Sequence, residues 1–344
     1  MTFRPIGYYV HHHGAGHRAR AAAIAAASGR PVVLLGTGIG DAGIDLPDDR
    51  PPSLRFDGSD QAPCRPAALH YAPLDHAGIR GRVARIAGWI AQERPSLMVV
   101  DVSVEVAMLA RLASVPTICV RLNGERGDTA HLEAFRGATA LLAPFSRLLE
   151  APGTPDWVRE KTSYFPGITA APARDAPMAH RVLAVFGRGG VPGDGTRIAA
   201  AARACPACEW RVIGPAHVPA NVPPNLTFAG WSDIPEREIA QAAIVVGAGG
   251  DGLVGAVMAA GRPFICIPES RPFGEQQATA TGLAAVQAAL VLPAWPVAEC
   301  WPNLIEQALR LPPEAQSALH DIAGARKAAS WLAELAAPCL EHAA

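Results

Sequence analysis

Residues 245–281 read VVGAGGDGLVGAVMAAGRPFICIPESRPFGEQQATAT, and this stretch decides the fold. The apolar run 243–246 predicts a buried strand, and the glycines at 247, 249, 250 and 252 predict a turn that lets the backbone come close to a ligand. Residues 253–260 continue as a short helix, and 264–267 predict the next buried strand, which Pro268 ends. Strand, glycine turn, helix and strand together indicate a parallel α/β sheet.

The same stretch has the chemistry of a site for a phosphorylated ligand. The turn around Gly249, Gly250 and Asp251 leads into a helix whose N-terminal N–H groups and dipole favour a phosphate. After the second strand, a predicted loop ends in one carboxylate and two amides, which suit sugar hydroxyls: Glu275, Gln276 and Gln277. The combination predicts a site for a nucleotide-sugar.

Length and composition narrow the class of protein. The chain has 344 residues, 50% of them hydrophobic and 18% charged, which is typical of a globular protein with two domains and not of a disordered one. The formal net charge of −1 gives no reason to expect nucleic acid as a partner. Seven scattered cysteines favour reduced thiols in a cytoplasm. The N-terminal residues do not predict a signal peptide, and no apolar run approaches the ~18 residues expected of a membrane span.

The first half opens with the same kind of unit. Residues 6–10 predict a strand, HHHGAGH at 11–17 a glycine-rich loop, 18–27 a helix and 32–35 a second strand. Later strands are predicted at 97–100, 117–120 and 138–143, and a helix over 78–93 with Ile79, Val83, Ile86 and Ile90 on one face. Asp101 and Glu125 lie at the carboxyl ends of such strands, where ligands of doubly wound sheets usually bind, but as lone carboxylates we expect them at the surface.

The pattern restarts after a proline- and glycine-containing segment. Residues 182–186 predict a strand, 187–190 a glycine turn and 197–204 a helix. We therefore predict a first domain over 1–165, a linker over 166–177 and a second domain over 178–325. Residues 326–344 predict a C-terminal helix that either caps the second domain or crosses back to the first.

Histidines in the first glycine loop are the candidates for acid–base chemistry. His17 follows Gly14 and Gly16, and we predict that it is a general base beside a loop that approaches the acceptor. The alternative is a histidine that caps the helix. His11, His12 and His13 do not predict a metal site, because neighbouring side chains on a strand point to opposite faces. The Cys205–Cys208 pair lacks the second pair that a zinc ribbon needs.

Two further side chains are candidates for the nucleotide. Arg188, between Gly187 and the pair Gly189 and Gly190, would counter the charge of a diphosphate, although a solvated loop arginine is the alternative. Trp231 follows a predicted strand and would lie against a base, or else belong to the core.

Three places in the chain resemble GT-B glycosyltransferases and are similar to the MurG family: HHHGAGH, FPGI at 165–168, and GAGGDG…AAGRPFICIP…FGEQQ. The resemblance implies an α/β fold of two Rossmann-like doubly wound domains facing across a cleft, with the acceptor on the first domain and the donor on the second. It implies transfer without a metal or cofactor, and it favours inversion of the anomeric configuration, with retention as the alternative. Carried over by position, His17 is the glycine-loop histidine, residues 187–190 the second glycine loop, Trp231 the base contact and residues 275–277 the donor-sugar segment.

One position departs from this family pattern. The family has a ribose-binding glutamate on the helix before AAG, where this chain has Gly255-Ala256-Val257. Asp251 or Glu269 would then take its place, or ribose is held in a different way, or donor binding is weak. UDP-sugar is the favoured donor; the acceptor is a glycan, a lipid-linked hydroxyl or a small molecule. A nucleotide-sugar hydrolase and a non-catalytic binding module are the alternatives. We expect a cytoplasmic protein, with peripheral contact with the inner face of the membrane as an alternative.

Overall fold

The structure is a computed structural model that describes residues 3–12, 15–50, 65–168 and 175–337. The chain divides into two compact units. The first comprises Met1–Pro144, Gly153–Ile168 and Ala323–Ala344, and the second Phe145–Pro152 and Thr169–Ile322. The C-terminal segment thus belongs with the first unit, and the short segment Phe145–Pro152 belongs with the second.

Each unit contains one parallel sheet. The first unit has β1 (Ile6–Val10), β2 (Val32–Gly36), β3 (Ile44–Asp45), β4 (Leu97–Asp101), β5 (Thr117–Val120), β6 (Ala140–Ala143) and β7 (Thr162–Tyr164). The second unit has β8 (Arg181–Val185), β9 (Glu209–Ile213), β10 (Leu226–Gly230), β11 (Ile244–Gly247), β12 (Phe264–Cys266) and β13 (Leu290–Val291).

Helices alternate with these strands along the chain. They are α1 (Ala15–Ala27), α2 (Ala77–Glu93), α3 (Val104–Leu112), α4 (Thr129–Gly137), α5 (Asp156–Lys161), α6 (Gly195–Ala204), α7 (Pro235–Gln241), α8 (Asp251–Ala260), α9 (Glu275–Ala285), α10 (Trp301–Leu309), α11 (Pro313–Ser317) and α12 (Gly324–Leu335). In the part of the chain that the structure describes, no helix has both the length and the apolarity needed to cross a bilayer.

The strand order of the first sheet is β3-β2-β1-β4-β5-β6-β7. Strands β1 and β4 are buried along their whole length because helices cover both faces, which explains their continuous apolar sequences. One face packs against α2, α3 and α4, and the other against α1 and α12. The order reverses between β1 and β4, and ligands of open α/β sheets bind outside the carboxyl ends of strands at such a reversal.

The strand order of the second sheet is β10-β9-β8-β11-β12-β13. Here the reversal lies between β8 and β11, which pair in parallel from Ile244 opposite Val182 to Gly247 opposite Val185. The two predicted glycine turns of this half follow these two strands. Sequence-distant turns therefore lie next to each other at the carboxyl edge of the sheet.

Several predicted details differ from the structure. Val83 is 41% exposed and lies off the buried face of α2, which Arg82, Ile86 and Ile90 form instead. The segment Glu275, Gln276 and Gln277 is not a loop but the first turn of α9. Of the tail, α12 packs against α1, with Arg30 of the first unit donating to the carbonyl of Ala333.

Candidate functional site: a histidine–aspartate pair and the glycine turns of the second sheet

His17 and Asp101 meet at the reversal point of the first sheet. His17 lies in the first turn of α1, which follows β1, and Asp101 is the last residue of β4, the neighbouring strand. The Nδ1 atom of His17 is 2.9 Å from Oδ1 of Asp101. The predicted interpretation of Asp101 as a surface carboxylate was wrong, since its side chain is completely buried, whereas Glu125 is exposed as expected.

Arg20 stabilises the buried carboxylate of Asp101. Its guanidinium, also buried, donates to Oδ1 of Asp101 at 3.0 Å and to Oδ2 at 3.2 Å. Burial alone would raise the pKa of Asp101, but Arg20 and His17 outweigh it and hold that pKa well below its usual range. Asp101 therefore stays ionised and supplies a permanent negative charge behind His17.

This charge sets the tautomer of His17. An ionised carboxylate accepts hydrogen bonds and does not donate them, so the proton of the neutral imidazole lies on Nδ1. The same terminal nitrogen of Arg20 also lies 2.9 Å from Nδ1, and we assign its two N–H groups to the carboxylate oxygens of Asp101 because an ionised carboxylate is a stronger acceptor than a neutral imidazole. The lone pair of His17 is consequently on Nε2, as a general base requires. The side chain of His17 is partly exposed.

The structure corrects the predicted placement of His11 and His12 on a strand. His11 and His12 follow β1 and are not on a strand; their rings stack at 4.6 Å, and His11 is 5.5 Å from the His17 ring. Gly16 is exposed, and a Cβ there would meet nothing within 4 Å. Gly14 and His13 lie outside the described residues, so their predicted roles stay predictions.

The helix α8, which follows Gly249 and Gly250, differs in its N-cap from α6, the helix after the glycine turn at 187–190. Gly250 is the N-cap of α8 and offers no side chain to its N–H groups. At α6, Asp194 is the N-cap, and its carboxylate accepts from the N–H groups of Thr196 and Arg197. The N-terminus of α8 is thus the better place for an anionic ligand. Asp251, the first residue of α8, adds a carboxylate at this end.

The carboxylate of Glu269 binds the glycine turn between β8 and α6, a role that sequence reasoning did not assign. Its carboxylate accepts from the N–H of Val191 at 3.1 Å and from Arg271 at 2.9 Å. Arg271 in turn donates to the carbonyl of Gly189. A Cβ at Gly190 would lie 2.6 Å from Glu269 Oε1, so glycine there is what allows the carboxylate to approach. Glu269 is therefore occupied with the β8–α6 turn.

Gln276 connects the second glycine turn to the start of α9. It is buried, and its Oε1 accepts from the N–H of Gly249 at 3.2 Å and of Glu269 at 2.8 Å. Gln277 is exposed, and its side chain donates to the carbonyl of Glu269 at 3.0 Å. Glu275 is half-buried at the start of the helix. The amide of Gln276 thus fixes backbone geometry, whereas Glu275 and Gln277 lie nearer to solvent.

Arg188 and Trp231 are in direct contact. The guanidinium carbon lies 3.8 Å from the centroid of the indole ring, and the residue Trp231 is 46% exposed. Arg188 is exposed in the turn after β8, and Trp231 directly follows β10. The two nucleotide candidates therefore lie together, although 43 positions separate them in the sequence (231 − 188).

The described residues contain one histidine–carboxylate cluster with the ligand types of a metal site: His70, Asp128 and His131, whose nearest ligand atoms lie within 4.8 Å of one another. Arg126, however, approaches Nε2 of His131 at 3.1 Å, and arginine only donates. The proton of His131 then lies on Nδ1, 2.5 Å from Asp128, where a metal ligand would have to be unprotonated. This cluster fits a hydrogen-bonded network better than a cation site.

Comparison with solved structures identifies the architecture. The glycotransferase of kitacinnamycin superimposes with a TM-score of 0.68 at 15% identity, covering 97% of this chain and 99% of that one. The chain has the GT-B fold. Glycosyltransferase VinC in complex with dTDP gives a TM-score of 0.65 at 15% identity, with 96% and 99% covered. MurG of Acinetobacter baumannii gives 0.59 at 14% identity, with 96% and 99% covered.

The predicted resemblance to GT-B glycosyltransferases, including MurG, is therefore confirmed at the level of the fold. No family model and no curated protein sequence matches the chain. The two Rossmann-like units also agree with the predicted fold class. These comparisons show the fold alone, and they do not assign a role to any single residue of this chain.

Proposed function

We propose that this protein is a glycosyltransferase that moves a sugar from a nucleotide diphosphate donor to a hydroxyl acceptor. The observation that carries the proposal is the His17–Asp101 pair at the reversal point of the first sheet, where Nδ1 and Oδ1 are 2.9 Å apart. A histidine oriented by a buried carboxylate is suited to take a proton from a hydroxyl. The fold shared with glycosyltransferases supports the same conclusion.

The proposed reaction is a single displacement. Nε2 of His17 takes the proton of the acceptor hydroxyl. At the same time, the oxygen of this hydroxyl forms a bond to the anomeric carbon of the donor. The bond from that carbon to the diphosphate oxygen breaks, and the leaving diphosphate carries away the electron pair. One displacement inverts the anomeric configuration. Asp101 stabilises the imidazolium that forms, so the charge created on His17 costs less.

The leaving diphosphate belongs to the second unit in this proposal. The N–H groups at the start of α8 face it without competition from a capping side chain, and Arg188 supplies a positive charge. No step requires a divalent ion, so we expect transfer to continue in the presence of EDTA. We favour UDP as the donor nucleotide, and dTDP, which VinC binds in its complex, is the alternative.

The absence of a carboxylate at residues 255–257 favours a second candidate, a non-catalytic module that binds a nucleotide or glycan. Glu269 and Asp251, the two carboxylates that could replace the missing ribose-binding glutamate, are each limited by their position. Glu269 is bonded to the β8–α6 turn, and Asp251 lies four residues, about 6 Å along the helix, before position 255. Robust turnover of any nucleotide-sugar would exclude this candidate.

The first experiment is a thermal-shift panel with UDP, dTDP, GDP, ADP and inorganic phosphate. A nucleotide that binds only the folded chain must raise the melting temperature. The stabilising nucleotide then defines the sugar donors to assay with glycan, lipid-linked and small-molecule acceptors. Release of sugar at the same rate without any acceptor would identify a hydrolase instead. No stabilisation by any nucleotide at millimolar concentration would contradict the donor site.

A further inference from the structure

One face of the Trp231 indole is covered in the structure. The guanidinium of Arg188 lies over Trp231 with its carbon 3.8 Å from the ring centroid, a typical cation–π arrangement. Trp231 is nevertheless 46% exposed, so this contact is made at the surface and not in the core. An aromatic ring with one face against a flexible, exposed arginine can be uncovered by moving that side chain alone.

The backbone brings the two side chains together from separate parts of the sheet. Strand β10, which precedes Trp231, is at the edge of the sheet, and β8, which precedes Arg188, is near its centre. Gly230, with φ of 69°, turns the chain at the end of β10, and its carbonyl accepts from the N–H of Gly214 at 2.7 Å. The turn after β8 is closed by the N–H of Gly190 donating to Gly187 at 3.1 Å.

We propose that Arg188 is a displaceable cover over Trp231, and that a nucleoside diphosphate removes it by offering the guanidinium a better partner. The proposal rests on the proposed function, because it takes the donor to be a nucleotide. In the structure, the guanidinium lies over the indole face. When the ligand binds, the guanidinium moves to the diphosphate oxygens, and the base stacks on the uncovered indole. One side chain thus links recognition of the base to recognition of the diphosphate.

The energetic order of the contacts supports this exchange. An exposed cation–π contact shifts an equilibrium by about two- to fivefold. A charge-assisted, bidentate hydrogen bond from arginine to a diphosphate is stronger, so the exchange favours the ligand. A nucleoside without phosphates must displace Arg188 and offers it nothing in return. The cover would therefore discriminate against free nucleosides, which share the base with the donor.

The test is isothermal titration of the full chain with a nucleoside, the matching nucleoside diphosphate and pyrophosphate, using the base selected by the thermal-shift panel. The variants are Arg188→Ala, Trp231→Leu and, as a matched control, Arg310→Ala, another exposed arginine, which is paired with Glu306 on α10. Arg188→Ala should strengthen nucleoside binding by about two- to fivefold and weaken binding of the diphosphate and of pyrophosphate by about tenfold or more. Trp231→Leu should reduce the affinity for the nucleoside diphosphate to the affinity for pyrophosphate.

The outcomes separate this proposal from the proposed function. If Arg188→Ala leaves nucleoside affinity unchanged or weakens it, Arg188 is not a cover, even though the donor site stands. If the wild-type chain binds neither the nucleoside diphosphate nor pyrophosphate, the proposed function itself fails. Equal effects in Arg310→Ala would assign the changes to net charge. Unchanged melting temperatures across the variants would show that folding is not the cause.

Discussion

The imidazole of His17 and the carboxylate of Asp101 lie 2.9 Å apart, although 84 positions separate them in the sequence. The carboxylate is fully buried, and the imidazole is partly exposed. An ionised group held inside the fold therefore acts on a reactive group at its surface. This relationship makes the pair suitable for general-base chemistry.

Substitution of His17 by alanine should remove transfer while leaving nucleotide binding near normal. His17 is in the first unit and the nucleotide candidates are in the second, so the two functions depend on different residues. A positioned general base contributes about 10²- to 10⁴-fold, which sets the expected loss of kcat. Assays of turnover and of nucleotide affinity on the same preparation would test this, and equal loss of both would contradict the base assignment.

Substitution of Asp101 by asparagine should impair both activity and stability. Arg20 would remain buried without its anion, and breaking a buried pair in this way costs about 3–5 kcal/mol of the free energy of unfolding. His17 would also lose the partner that keeps its proton on Nδ1. Urea unfolding measures the first effect, and turnover below the unfolding transition measures the second. A folded Asp101→Asn variant with wild-type kcat would rule out the orienting role.

The neighbouring glycines Gly249 and Gly250 should respond differently to alanine. A Cβ at Gly249 would lie 2.9 Å from the carbonyl oxygen of Gln276, so Gly249→Ala should lower the melting temperature. At Gly250 the nearest atom would be the side-chain nitrogen of Gln276 at 3.7 Å, so Gly250→Ala should fold normally and weaken diphosphate binding by narrowing the approach. Wild-type diphosphate affinity in Gly250→Ala would argue against a phosphate at this turn.

Gly16→Ala separates folding from acceptor binding in the first unit. A Cβ there meets nothing within 4 Å, and alanine is favoured over glycine in a helix by about 0.5–1 kcal/mol, so α1 should become more stable. If the glycine is there to let the acceptor approach, KM for the acceptor should rise despite the added stability. Unchanged kinetics in the stabilised variant would indicate that the acceptor does not contact this position.

Folding stability should fall as the pH is lowered from about 6.5 towards 4. Burial, and then the charge of Arg126, lower the pKa of His131 to about 4, whereas the unfolded chain titrates near about 6.5. In that window the unfolded state binds the proton and the folded state does not, so protonation favours unfolding by up to about 3 kcal/mol.

Urea midpoints at pH 7 and pH 5 would measure this loss. His131→Gln should reduce the difference between the two midpoints, and substitution of the exposed His217 by glutamine serves as the control. A pH dependence that is the same in His131→Gln and in the wild type would assign it to other groups.

The sequence by itself determined the order of strands, glycine turns and helices. Continuous apolar runs such as 97–100 and 244–246 are typical of strands buried on both faces, and glycines after such a run permit tight turns. These are local properties, which neighbouring residues set. They were sufficient to predict two parallel α/β units and a resemblance to the GT-B fold, which comparison with solved structures confirmed.

Only the tertiary structure decided the partners of the site residues. Asp101 looked like a surface carboxylate because its neighbours in sequence do not include Arg20 or His17, which reach it through the pairing of β4 with β1. Likewise, Glu269 binds the turn after β8, and Gln276 binds the N–H of Gly249, through parallel pairing of the strands that precede these turns. Burial, charge and hydrogen bonding depend on these distant contacts, because a parallel sheet brings together carboxyl ends that lie far apart along the chain.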